Sequence, residues 1–238
     1  MMIDGGLPMG QFKDILESNA ELVDVVKFGW GTSLVTAGLL DKTQAARANG
    51  VDFYFGGTLF EKFLVQGQFD DWRRFVDHWG AKTVEISNGT IELTNEAKAE
   101  YVAKLAGQYT VYSEVGLKDS AKSAEMNAEE WIRDIREDLE AGATKVITEA
   151  RESGTSGIAS ASGELRADIL TEILGSGIDV NRLMFEAPNK ALQVYLIDKV
   201  GTNVNLGNIA HSDLVPLETL RLGLRGDTLM MMEDRTRA

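Results

Sequence analysis

Eight strand-like apolar runs alternating with amphipathic stretches along 238 residues predict a (β/α)8 barrel of the TIM type. Two further observations favour one closed domain over residues 1–238. The chain has only 3 prolines and no Ser/Gly tract or long like-charge run, so no linker separates two halves. Charge also recurs at the end of an apolar run just before glycine, as in Val25-Val26-Lys27-Phe28-Gly29-Trp30-Gly31 and Glu85-Ile86-Ser87-Asn88-Gly89. Barrels display their polar groups at the C-terminal ends of the strands in this way. A doubly wound open sheet is the alternative, but eight units of similar length favour closure.

The elements follow in order. Met1 to Asp4 reads as a first strand, short or truncated at its start, and Gln11 to Asn19 as a helix. Leu22 to Phe28 is a second strand, followed by a helix over Leu40 to Asn49 that Asn49-Gly50 stops. Val51 to Phe55 is a third strand; Thr58 and Glu61 then match the Thr-x-x-Glu capping box of a helix start. A helix over Asp70 to Trp79 leads to a fourth strand, Thr83 to Ser87. Helix Asn95–Ala106, strand Thr110–Glu114, helix Ala128–Ala141 and strand Lys145–Glu149 repeat the unit. Helix Glu164–Leu174, strand Arg182–Glu186, helix Asn189–Val200, strand Val204–Leu206 and helix Leu214–Leu222 complete it.

Composition limits the function classes. The 24 basic and 37 acidic residues leave a net charge of −13, a surface that repels nucleic acid and anionic membrane. No stretch approaches the roughly 18 uninterrupted apolar residues of a membrane span, and the N-terminus shows no secretory pattern. The absence of cysteine excludes disulfides, thiolate metal sites and cysteine nucleophiles, and the chain reads as cytoplasmic. Homo-oligomerisation through exposed helices is compatible with such a barrel.

Strand alternation selects the mouth residues. Asp4, Lys27, Glu85 with Ser87, Glu114, Glu149 with Arg151, and Glu186 fall at successive strand ends, with Lys118 and Lys190 close behind. Glutamates at equivalent ends repel one another unless cations, protons or a metal intervene. An all-oxygen set of Glu85, Glu114 and Glu149 suits a hard ion, Mg²⁺ above all; a lining of salt bridges is the plainer reading. An anion site is expected near strands seven and eight, where Asn189-Lys190 opens a helix and Gly207-Asn208 lets backbone approach closely. Arg221 and Arg225 either serve that region, pin the last helix or make a subunit contact. His78, Trp72 and Trp79 read as packing residues on a helix face, His211 as a solvated loop residue, and Gly154-Thr155-Ser156-Gly157 as a lid.

Lys27-Phe28-Gly29-Trp30-Gly31-Thr32-Ser33, Gly56-Gly57-Thr58-Leu59-Phe60-Glu61, Glu85-Ile86-Ser87-Asn88-Gly89, Ser113-Glu114-Val115-Gly116, Arg151-Glu152-Ser153-Gly154, Phe185-Glu186-Ala187-Pro188 and Gly223-Leu224-Arg225-Gly226-Asp227-Thr228 together resemble the phosphosulfolactate synthase family, in order along nearly the whole chain. The resemblance implies a (β/α)8 barrel, dependence on Mg²⁺ and addition of sulfite to phosphoenolpyruvate. On that basis Glu85, Glu114 and Glu149 are expected to bind metal, and Arg151, Lys190, Ser87, Gly207 and Asn208 to bind substrate. Lys27 and Glu114 are expected to act in catalysis, with Lys118 as proton donor. The chain departs from the family pattern at Gly5, Leu117 and Thr155, where the family tends to carry lysine. Two other readings therefore stand beside the synthase: a carbon–sulfur bond-forming homologue with another enol acceptor or nucleophile, and a non-catalytic, stress-related relative.

Overall fold

Short runs such as Val25-Val26-Lys27-Phe28 and Thr83-Val84-Glu85-Ile86 are buried at every position, as expected of parallel strands covered on both faces. The computed structural model describes residues 1–116, 126–150 and 166–231. Its strands are β1 (Met2–Asp4), β2 (Val25–Phe28), β3 (Asp52–Phe55), β4 (Thr83–Ile86), β5 (Thr110–Val115), β6 (Lys145–Thr148), β7 (Leu183–Glu186), β8 (Leu206–Gly207) and β9 (Ile209–Ala210). The helices between them are α1 (Met9–Asn19), α2 (Leu39–Ala48), α3 (Gly57–Val65), α4 (Phe69–Trp79), α5 (Asn95–Leu105), α6 (Ala128–Glu140), α7 (Ala167–Gly175), α8 (Lys190–Val200) and α9 (Leu214–Arg221).

All pairings are parallel and form two ladders, β3-β2-β1-β9 and β4-β5-β6-β7-β8. One seam joins them through β8 and β9, separated only by Asn208. The other lies between β3 and β4, where the Thr83 hydroxyl donates to the Asp52 carboxylate at 2.7 Å. The expected eighth strand is thus divided: its first part pairs with β7 and its second with β1, and it starts two residues later than the sequence suggests. The other boundaries shift by one to three residues, the ordinary scatter of helix and strand ends.

Alternation sorts the side chains into two cores. Met1, Val25, Tyr54, Tyr112, Ile147 and Met184 fill the barrel interior, with the Tyr54 and Tyr112 rings edge to face. The larger core lies between strands and helices and includes Phe12, Phe28, Phe53, Phe55, Phe60 and Trp72. Trp72 is fully buried there, and Trp79 packs partly buried against Phe75, so both tryptophans serve packing.

Two buried ion pairs sit in this outer layer. Lys42 of α2 reaches the Asp4 carboxylate at 2.5 Å, and the other Asp4 oxygen accepts from the Gly6 and Leu7 amides. Asp4 therefore faces outward and does not join the mouth. Lys98 of α5 contacts Asp138 of α6 and donates to the Glu114 backbone carbonyl, each at 2.7 Å, while Ser113 also donates to Asp138. The capping box expected at Thr58 and Glu61 does not form either. Gly56 occupies the cap of α3, and Glu61 instead accepts from the Ser87 hydroxyl at 2.5 Å and the Thr90 amide at 3.1 Å. A capping box does form at α6, between Asn127 and Glu130.

Candidate active site

Inward side chains of four strands bring their charged ends together toward the C-terminal end of the barrel. Lys27 follows Val25 on β2, Glu85 lies inward on β4, Glu114 follows Tyr112 on β5, and Glu186 follows Met184 on β7. The Lys27 ammonium lies 3.0 Å from Glu85, 3.5 Å from Glu186 and 3.6 Å from Glu114. Lys27 retains 7% of its surface exposure, and the three glutamates no more than 1%. One buried cation is thus held in a cage of three buried carboxylates.

The cage is tied to the backbone around it. One Glu85 oxygen accepts from the Gly57 amide at 2.5 Å, at the first turn of α3, where an anion is favoured by the free amides. Glu186 accepts from the Ala150 amide at 2.9 Å and from the Asn208 side-chain amide at 2.5 Å. Glycine is required at the first of these contacts. A Cβ on Gly57 would fall 2.3 Å from the Ser87 hydroxyl oxygen and 2.9 Å from Glu85 Oε1, and one on Gly56 would fall 3.0 Å from Lys27 Cε. Gly57→Ala is therefore expected to lower stability by about 1–3 kcal/mol, the range for overpacking a close-packed site, and to reduce turnover. Gly10→Ala, in α1 with nothing within 4 Å of the added carbon, should leave turnover unchanged and hold or slightly raise stability; parallel melting curves and product assays make the comparison.

The electrostatics follow from burial and proximity. Burial opposes the Lys27 charge, but Glu85, Glu114 and Glu186 more than offset it and hold the ammonium above its ordinary range. Burial raises Glu85, with Lys27 acting in the opposite direction. Glu186 is pushed up to about 7, first by burial, against the pull of Lys27 and with a push from Glu114. Burial and then the Glu85 charge drive the Tyr54 phenol well above its usual value, so it stays protonated beneath the cage. The sequence alone does not single out Tyr54, whose place opposite Lys27 emerges only once the strands are paired.

The remaining sequence-predicted residues separate into three groups. Glu149 is buried behind Gly116, where an added Cβ would lie 2.7 Å from the Glu149 Cβ. Ser87 donates to Glu61, and a Cβ on Gly207 would fall 3.0 Å from Met1 Cε and 3.3 Å from Met184 Sδ. Lys190 lies on the surface, paired with Asp227 at 2.6 Å, and that pairing holds the Asp227 carboxyl below its usual range. Arg221 pins the last helix by donating to the Thr202 and Val204 carbonyls. His211 contacts Gln11 in an exposed position. Lys118, Arg151 and the expected 154–157 lid lie outside the described residues.

Among the described residues no group of three or more His, Asp or Glu side chains is arranged to hold a metal ion. Glu85, Glu114 and Glu186 converge on Lys27.

A parallel α/β barrel with a buried, charged cluster at its strand ends defines the class: a barrel enzyme. Among solved structures, 3-hexulose-6-phosphate synthase superposes with a TM-score of 0.58 at 14% identity, covering 93% of this chain and 97% of that one, which shows the fold alone. The family described as (2R)-phospho-3-sulfolactate synthase (ComA) matches residues 1–227. Phosphosulfolactate synthase of Bacillus subtilis is 50% identical over 231 residues, covering 97% of this chain and 92% of the relative. That of Methanothermobacter thermautotrophicus is 38% identical over 233 residues, covering 96% and 90%. The chain belongs to the phosphosulfolactate synthase family, enzymes that form a carbon–sulfur bond. Among the described residues no helix is long and apolar enough to cross a membrane.

Proposed function

We propose that this barrel adds sulfite to phosphoenolpyruvate at the level of the Lys27 cage. The observation that carries the reading is the buried Lys27 ringed by Glu85, Glu114 and Glu186 in a chain matched by the family from residue 1 to 227. The sulfite sulfur supplies its lone pair to the methylene carbon, the new carbon–sulfur bond displaces the π electrons toward the substrate carboxylate, and a proton then adds at the neighbouring carbon. Lys27 is a fixed positive charge for that developing anion, and its cage keeps it protonated and in place, so no reorganisation is needed as charge develops. Lys118 is retained as proton donor and Arg151 as an anion-binding residue.

The described carboxylates do not make a closed metal site, so no step is assigned to Mg²⁺. A hard divalent ion of this kind takes one or two carboxylates and completes its shell with substrate oxygens and water. The protein is read as cytoplasmic, with small anionic substrates and no nucleic-acid or membrane partner. A less anionic enol acceptor is the second reading, favoured by two positions. Lys190 is tied to Asp227, and Gly5 lies under Trp30, whose ring would meet a Cβ at 2.5 Å.

Incubation with phosphoenolpyruvate, sulfite and Mg²⁺, followed by mass spectrometry, tests the reading. Phosphosulfolactate should accumulate and disappear with a chelator. No product from the folded, Mg²⁺-supplemented protein overturns it and turns the search to other enols.

A further inference from the structure

The strand that closes the barrel breaks at one residue. Leu206 and Gly207 pair with Phe185 and Glu186 of β7, whereas Ile209 and Ala210 pair with Met2 and Ile3 of β1. Asn208 lies between them at φ 54, one of two non-glycine residues with positive φ among the described residues, the other being Trp30. A left-handed residue inside a strand behaves as a bulge, which interrupts pairing and re-aims a side chain, often at a barrel rim beside a functional site. Asparagine tolerates this conformation better than most residues but still less well than glycine.

A residue needed only to turn the chain would be glycine, so the side chain must contribute elsewhere. It donates through Nδ2 to Glu186 Oε1 at 2.5 Å, the same oxygen that lies 3.5 Å from the Lys27 ammonium. The second Glu186 oxygen is held by the Ala150 amide. The two contacts fix both oxygens, and with them the rotation of the carboxyl about its own axis. The other end of the Asn208 amide, Oδ1, is out of solvent and has no hydrogen-bond partner among the described residues, where the side chain is held through Glu186. A buried acceptor without a donor is costly, and such groups persist where another requirement outweighs them.

We propose that Asn208 is a positioning residue for the reaction: it holds Glu186 in the orientation that fixes Lys27 in its cage. This rests on the reading of the Lys27 cage as the reacting centre. Asn208→Gly removes the amide while suiting the left-handed backbone. The variant should keep or raise its melting temperature, lose about tenfold to a hundredfold in kcat, as expected of a misplaced group, and change KM little. Combined with Glu186→Gln it should lose no more than Glu186→Gln alone, because the two residues act through one contact. Asn208→Asp, similar in size but with a second carboxylate facing Glu186, should not rescue turnover.

A readout independent of turnover separates failure of this inference from failure of the functional reading. The ¹³C carboxyl shift of Glu186, followed against pH, should move its midpoint up by about one pH unit in Asn208→Gly, because a donor to the ionised form is lost. An unmoved midpoint overturns the proposal. So does a folded Asn208→Gly variant with parental kcat, or losses that multiply in the double variant.

Discussion

Lys27→Met should be the most damaging single substitution at the mouth. It leaves Glu85, Glu114 and Glu186 buried around an uncharged side chain. Removing one partner of a buried ionic cluster costs about 3–5 kcal/mol at neutral pH, and denaturant unfolding reads that loss directly. Protonation of the carboxylates should restore part of it as pH falls toward 5. Turnover should fall by about a thousandfold, the scale for losing a preorganised charge at a reacting centre. The structural and chemical contributions separate in a double variant. Lys27→Met with Glu186→Gln removes one negative charge from the cage and should recover stability without recovering turnover. Lys27→Met that stays within a few-fold of the parent rate would remove Lys27 from the chemistry and leave it a structural ion pair.

The barrel and most of the cage were legible because they depend on period. Val25, Lys27, Tyr112, Glu114, Met184 and Glu186 alternate inward on their strands, so a count of two from an apolar inward residue finds the charged one. What those residues meet depends on partners far away in the chain. Glu85, Glu114 and Glu149 read as a hard-ion set, and the sequence does not show that Lys27 brings a cation to Glu85, Glu114 and Glu186. Asp4 matched the mouth pattern too, yet it turns outward because Lys42 waits there with a buried ammonium. Thr58 and Glu61 satisfied the capping pattern, but Glu85 already accepts from the first amide of α3, and Glu61 is drawn to Ser87 and Thr90. Asn208 shows a third kind of limit. Gly207-Asn208 reads as a place of close backbone approach, and nothing local distinguishes that from a divided strand whose amide points at Glu186.

Glu186 should make the folded protein lose stability as pH rises through neutrality, the opposite of an ordinary salt-bridged carboxylate. Its ordinary value of 4.5 is pushed up to about 7 in the folded chain, so between those limits the folded state holds a proton that the unfolded state has released. Its contribution is fully present below pH 4.5 and is lost as pH rises through 7. At about 1.4 kcal/mol per pH unit, the window corresponds to about 3 kcal/mol. Glu85 is raised as well and acts in the same direction. Lys27 stays charged in both states throughout this window and contributes no slope. The buried Met1 amine, held down to about 6 by burial, pulls the other way as its own titration is crossed, but it is common to parent and variant. The difference between the parent and Glu186→Gln therefore isolates Glu186. Unfolding free energies measured from pH 5 to 8 should show the variant with the flatter profile and the smaller loss at pH 8. Parallel profiles would mean that the cage proton resides elsewhere than on Glu186. The same proton bears on turnover: above pH 7 the cage gains a negative charge facing an anionic substrate, so affinity for that substrate should weaken in step with the loss of stability.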